Sequence, residues 1–279
     1  MNWVTHFDKT KYDLVLLHID QQCVLERLGK SKLFKDMKNI VKDSGVPIII
    51  INHGTPCYPE VIEWNDCKKK MRSKVKFADK VIVNSYQAAD DWGFGETIWH
   101  GMDANEWWDL PKEPRVTTFI SAAGLGNKYY GRFLFFETRR ILREEYGITH
   151  LWIGEEVAPQ GFNTWDEYKN FLGGSLIYFN PTYGSPMPRS RTEAMLSGCA
   201  VVTTRHHDVE KFIKHGENGY ICKDNPKDAA RLIADLYFNY KKAIEMGQKG
   251  KETAKRVFSM RRFQQDWISL IEKTIGRKV

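Results

Sequence analysis

What most constrains this chain is a rhythm. Short runs of apolar, largely β-branched residues recur between longer stretches of helical composition. In the first half the runs are Tyr12 to Ile19, Val46 to Ile51, Lys80 to Val83 and Thr97 to Trp99, and Gln22 to Ser44 has helix composition. Runs this short and this apolar are what strands covered on both faces require. Parallel strands also need a crossover between them, usually a helix. After Pro111 to Pro114 the rhythm restarts. Strands are expected at Thr117 to Ile120, Leu151 to Ile153, Leu176 to Phe179 and Ala200 to Thr203, with helices at Gly131 to Tyr146 and over Thr192 to Ser197. The reading is α/β, with two Rossmann-like doubly wound domains at 1–112 and 113–258. The 279 residues are enough for two such cores.

The tail from Lys227 to Ile275 reads as helix, broken at Phe258 and Ser259. Arg261, Arg262, Phe263 and Trp267 suit a last helix, within 259–279, that packs across the domain junction. An amphipathic surface helix is the plainer alternative.

Composition removes several classes. A hydrophobic content of 42% is too high for disorder. Apolar runs such as Val46 to Ile51 are too short for an integral membrane segment. The stretch Met1 to Lys11 is charged and has no signal-peptide core. Cys23, Cys57, Cys67, Cys199 and Cys222 contain no C-x-x-C pair, which argues against a disulfide framework or a structural zinc site. A cytoplasmic setting is expected, a host's cytoplasm if the protein is viral. The net charge of +7 favours anionic partners: nucleotides, phosphorylated glycans, acidic lipid surfaces or nucleic acid.

Ligands of open α/β sheets collect beyond the carboxyl ends of the strands. That rule selects His18 and Asp20; Asn52, His53 and Gly54; His100 and Asp103; and, in the second half, Gly124 to Arg132, Pro181 to Glu193 and Arg205 to Glu210. In PTYGSPMPRSRTEAMLSG, Gly184, Pro186 and Pro188 impose a loop before a helix. Ser190 and Glu193 stand at capping-box spacing. The same helix start offers free N–H groups and a positive dipole end to a pyrophosphate, with Arg189 and Arg191 beside it and Glu193 ready for sugar hydroxyls. GLGNKYYGR, from Gly124, adds close backbone approach and the cations Lys128 and Arg132. His206, His207 and Asp208 suit a turn or an acceptor contact better than a metal. The chain has no D-x-D signature, no G-x-S-x-G elbow and no phosphate loop of the G-x-x-x-x-G-K-[ST] type. No G-x-G-x-x-G follows the first strand.

RTEAMLSGCAVVTT followed by HHDVEKFIKHGENGYI resembles E-A-M-x-x-G-x-P-V-V-x-T and then G-G-x-x-E-x-I-x-x-G-x-N-G of the family 4 (group 1) retaining glycosyltransferases. VPIIIINHG, ADKVIVNS and HGMD are similar, in order, to further segments of that family. The resemblance implies a GT-B fold, two Rossmann-like domains facing a cleft, here with a shortened first domain. It implies a nucleotide diphosphate sugar donor, a UDP-sugar above others, transfer with retention, and no required metal or cofactor. Glu193 would bind the ribose and Ser190 the diphosphate, with Gly124, Ser185, Met187 and Arg189 completing the donor side. Lys128 or Arg132 would stabilise the departing diphosphate, and His53 would touch the transferred sugar. His18, Asp20, Asn52, Gly54, His100, Asp103, His206 and His207 would line the acceptor side.

Two departures stand out. Ser185 occupies the place of the family's first Glu, and Leu125 and Tyr130 stand where its Arg and Lys are expected. The generic acceptor is a glycan or glycolipid. DNA carrying a hydroxymethylated pyrimidine is the alternative, prompted by the positive charge and by Trp92, Trp99, Trp107 and Trp108. A homo-oligomer that completes the site, or a non-catalytic nucleotide-sugar-binding subunit, would also fit the short first domain.

Overall fold

The computed structural model describes residues 8–20, 30–56, 64–119, 129–153 and 162–279. Contacts divide the chain into two units, Met1–His100 with Phe263–Val279, and Gly101–Arg262.

In the first unit, β1 (Val15–Ile19), β2 (Ile48–Asn52), β3 (Lys80–Val83) and β4 (Glu96–Thr97) lie side by side in that order, all parallel. The helices α1 (Lys30–Val41), α2 (Trp64–Val75) and α3 (Tyr86–Trp92) stand between them in sequence. β2 is buried at every residue, which is why its sequence is almost wholly isoleucine. β1 departs from the expectation of strands covered on both faces. It is an edge strand, with Val15, Leu17 and Ile19 buried and Leu16 and His18 exposed. One core gathers Leu17, Ile50, Phe34, Met71 and Trp92. The opposite face carries Ile49, Ile82 and Ile98, and against them pack Phe263, Trp267, Leu270 and Ile271 of the chain's last helix.

The second unit holds β5 (Glu113–Thr118), β6 (Leu151–Ile153), β7 (Ser175–Asn180), β8 (Ala200–Thr204) and β9 (Tyr220–Cys222). Their spatial order is β6-β5-β7-β8-β9, again parallel. Its helices are α4 (Arg132–Tyr146), α5 (Trp165–Gly173), α6 (Arg189–Leu196), α7 (Pro226–Phe238) and α8 (Tyr240–Val257). The last helix, α9 (Met260–Ile275), begins in this unit. β7 and β8 are buried throughout. The expected single helical run after Lys227 is cut at Asn239 as well as at Phe258. α7 opens on Asn225, whose Oδ1 accepts the Lys227 and Asp228 amides, with Pro226 in the first turn. Among the described residues no helix is long and apolar enough to cross a membrane.

The expected boundary at 112/113 lies at 100/101 in the structure, and the one at 258/259 lies at 262/263. A polar clasp explains the first difference. The Lys112 ammonium is almost fully buried, donates to the Gly173 and Ser197 carbonyls at 2.6 and 2.5 Å, and pairs with Asp109 at 3.1 Å. Asp109 also accepts from Gln248 at 2.7 Å and Lys251 at 2.9 Å. The prolines near residue 111 therefore mark the entry to β5, inside the second unit.

Burial pushes the Asp109 pKa up, but Gln248, Lys251 and Lys112 outweigh it and hold it below the ordinary value. Its contribution is therefore complete above about pH 4 and is lost as the pH falls through the lowered native value. Asp109→Asn should cost about 1–3 kcal/mol at neutral pH by leaving Lys112 without its anion. In thermal melts the gap to the unmodified protein should close in acid.

Candidate functional site

In the second sheet the strand order reverses at β5, since β6 lies on one side of it and β7 on the other. In open sheets this is where a ligand crevice forms, at the carboxyl ends of the two strands. The segment after β7 meets the segment entering α4 there. The Tyr183 and Gly184 amides both donate to the Tyr129 carbonyl, at 3.1 and 2.9 Å. Gly131 has φ +69°, and a Cβ on it would lie 2.0 Å from the Pro181 carbonyl oxygen. No other residue permits that approach. The contact places Arg132, first residue of α4, beside the Pro181–Gly184 loop, its guanidinium 5.1 Å from the Phe136 ring. Lys128 and Gly124 lie outside the described residues.

The capping box is not made. α6 begins at Arg189 with Pro188 as its N-cap, so Ser190 is already inside the helix. The Ser190 hydroxyl instead accepts from Tyr178 Oη at 2.8 Å. Glu193 Oε2 accepts from Tyr168 Oη at 2.5 Å, and its other oxygen lies 3.9 Å from Arg189 Nε. Glu193 is buried, and burial raises its pKa, with Tyr168 and Arg189 opposing. Burial also pushes Tyr178 up to about 12, against the hydrogen bonds of Ser190 and Asn180. Among the described residues these two tyrosines hold the two polar groups that open α6. The sequence reading missed both, because Tyr178 sits inside an apolar strand run and Tyr168 in a helix that the pattern did not single out. Ser185 is half-buried, Met187 is buried and Arg189 is exposed in the same loop and first turn.

Arg191 does not serve as the expected cation beside a pyrophosphate. It is 1% exposed and donates to the His206 and His207 carbonyls at 3.3 and 3.1 Å and to Met187 Sδ at 3.2 Å, over the Phe212 ring. Burial draws its pKa down to about 10. Its role is to hold the loop where His207 and Asp208 both adopt φ +61°, the left-handed region. His207 is buried, and burial, then Arg191, keep its pKa well below the ordinary value. His206 Nε2 lies 3.0 Å from Asp224 Oδ2, and its ring stands edge-on to Tyr183.

In the first unit, His18 and His53 meet at the carboxyl ends of β1 and β2. His18 Nδ1 and His53 Nε2 are 2.8 Å apart, and the rings stack at 5.1 Å. Asn84 Nδ2 stands 3.2 Å from His53 Nδ1. An amide N–H donating there makes His53 Nε2 the protonated nitrogen, directed at His18. Burial, then His18, lower the His53 pKa, and Asp20 works against them. Asn52 Oδ1 accepts the Gly54 amide at 3.1 Å, and the Gly54 carbonyl accepts from Trp92 Nε1 at 2.9 Å. These bonds shape the turn that presents His53. Asn84 lies in a segment the resemblance marked but was not named as a site residue.

His100 is half-buried and closes the first unit's main segment. Asp103 belongs to the second unit and caps a short 3₁₀ turn by accepting the Asn105 amide at 2.9 Å. Trp92 and Trp107 are core residues. Among the described residues no three His, Cys, Asp or Glu side chains cluster so as to hold a metal.

Residues 142–253 match the family model described as glycosyl transferases group 1. A 90-residue stretch is 32% identical to spore coat protein SA of Bacillus subtilis (strain 168), covering 32% of this chain and 24% of that protein. Among solved structures, HepE of Anabaena in complex with UDP and glucose superimposes with a TM-score of 0.69 at 15% identity, over 94% of this chain and 78% of that one. TarM gives 0.70 at 16%, over 92% and 54%. Sucrose-phosphate synthase from Thermosynechococcus elongatus gives 0.71 at 13%, over 95% and 74%. The segment that matches the family model contains the loop, helix α6 and strand β8 just described. The chain has the GT-B fold, and its residues 142–253 are similar to the glycosyl transferases group 1 family.

Proposed function

We propose that this chain is a glycosyltransferase that moves a sugar from a UDP-sugar to an acceptor hydroxyl. The observation that carries the reading is the meeting of two segments at the strand-order reversal of the second sheet, with the buried Glu193 at the start of α6. HepE, of the same fold, was solved with UDP. In this reading the ribose hydroxyls donate to Glu193, which Tyr168 holds in place. The diphosphate lies near the first turn of α6, where unpaired N–H groups and the dipole favour negative charge. Arg189, exposed on that turn, and Arg132, at the start of α4, supply cations.

Transfer is retaining and needs no metal ion. Arg132, with Lys128 from outside the described residues, stabilises charge developing on the departing diphosphate, so electrostatics toward the leaving group is the main catalytic contribution. His53 is the candidate contact for the transferred sugar, in the tautomer imposed by Asn84. The acceptor is a glycan or glycolipid hydroxyl.

Calorimetry with UDP, GDP, ADP and CMP tests the donor assignment. UDP should bind in preference to the others, and no binding by any nucleotide would defeat it. Glu193→Ala should weaken UDP binding by about 1–3 kcal/mol, as expected for lost hydroxyl contacts.

Because burial raises the Glu193 pKa, its carboxylate takes up a proton at higher pH than an ordinary glutamate, about 4.3. UDP affinity should therefore fall on acidification while other carboxylates are still ionised. Glu193→Gln should flatten that dependence. Arg132→Ala should lower kcat more than donor affinity, and equal losses would argue against a leaving-group role.

A further inference from the structure

The first unit carries a basic groove that the proposed reaction does not use. On α2, Cys67, Met71 and Val75 are buried against the core. Lys68 and Arg72 stand one turn apart on another face with Lys69 beside them, and Lys76 follows in the turn after the helix. These four cations line a surface cavity of about 650 Å³ that also touches Trp92 and Gly93. A second cavity of about 390 Å³ shares Arg72 and Lys76 and extends toward Lys80 and Phe94. Among the described residues that line the first cavity, none is acidic. In the second, Glu96 is paired with Lys80, and Asp79 accepts the Ile48 amide at 2.7 Å.

The groove is preorganised. Arg72 Nη2 donates to the Gly93 carbonyl at 2.6 Å, and its guanidinium lies 5.8 Å from the Phe94 ring. Trp92 is fully buried and tied through its indole N–H to the Gly54 carbonyl. Lys69 and Lys76 are exposed. Cations near the end of a helix gain from its dipole, but like charges one turn apart repel one another. Gathering four around one concave volume gives it a positive potential that favours an anion.

We propose that this groove binds a discrete phosphorylated group, held by Arg72, Lys69 and Lys76. A planar guanidinium matches two phosphate oxygens at once, and the lysines add compact charge. The cavity is open to solvent, which leaves room for a phosphate at its rim. The ligand is either a free phosphorylated molecule or the phosphate headgroup of a lipid.

Both sources are tested on the full chain. Inorganic pyrophosphate is titrated calorimetrically with UDP at saturation, so that the nucleotide site of the second unit is occupied. Flotation with phosphatidic acid vesicles, against neutral phosphatidylcholine, tests the lipid source. The variant is Lys69→Glu with Lys76→Glu, both exposed and outside the core.

Pyrophosphate binding that weakens at least about tenfold in this variant, with UDP affinity unchanged, supports a free ligand. Vesicle binding lost in the same variant supports a lipid-borne one. Absence of both, or binding that the variant leaves intact, overturns the proposal. If UDP itself does not bind, the donor reading fails, and the variant's effect on pyrophosphate still decides the groove.

Discussion

The second unit depends on one close approach. Two segments leave neighbouring parallel strands and press backbone against backbone where Gly131 meets Pro181 and Gly184 meets the Tyr129 ring. A Cβ at Gly131 would fall inside the van der Waals radius of the Pro181 carbonyl oxygen, so the contact exists only because that residue has no side chain. From it follow the position of Arg132 at the start of α4 and the path of the loop into α6. The strand-order reversal is where open sheets form a ligand crevice, and this contact lies at that point.

In the second unit the chain buries polar groups that would be costly alone. Each is matched. Lys112 has Asp109 and two carbonyls, Arg191 has two carbonyls and an aromatic ring, and Glu193 has Tyr168 and Arg189. Their burdens differ. Lys112 and Arg191 are committed to backbone oxygens and act as structural ties. The Tyr168 hydrogen bond uses a single oxygen of Glu193, and the other lies 3.9 Å from the Arg189 guanidinium. A carboxylate acceptor can take several donors, so this group retains capacity for a ligand.

Much of the fold is legible in the sequence because strands covered on both faces leave a strong apolar record. β3 and β6 fall on their expected runs, and β2, β7 and β8 lie within a residue or two of theirs. Edges are harder. β1 alternates because one face is open, β4 has two residues, and the three-residue β9 leaves too short a run after Asn218 and Gly219. The contact units divide at His100 rather than at the prolines, because prolines mark a strand entry as readily as a linker and the clasp formed by Asp109 and Lys112 has no local pattern. Site positions were legible as loops at strand ends, but partners were not. Nothing local to Ser190 indicates that its hydroxyl faces Tyr178 from the adjacent strand, or that Arg191, flanked by polar residues, turns inward.

The central claim is that the start of α6, with Glu193, and the start of α4, with Arg132, form one nucleotide site. The direct measurement is a crystal structure of the protein with UDP. The account predicts ribose hydroxyls within hydrogen-bonding distance of Glu193 and the diphosphate at the first turns of the two helices. UDP bound elsewhere on the chain, or a ribose that leaves Glu193 engaged only with Tyr168 and Arg189, would contradict it.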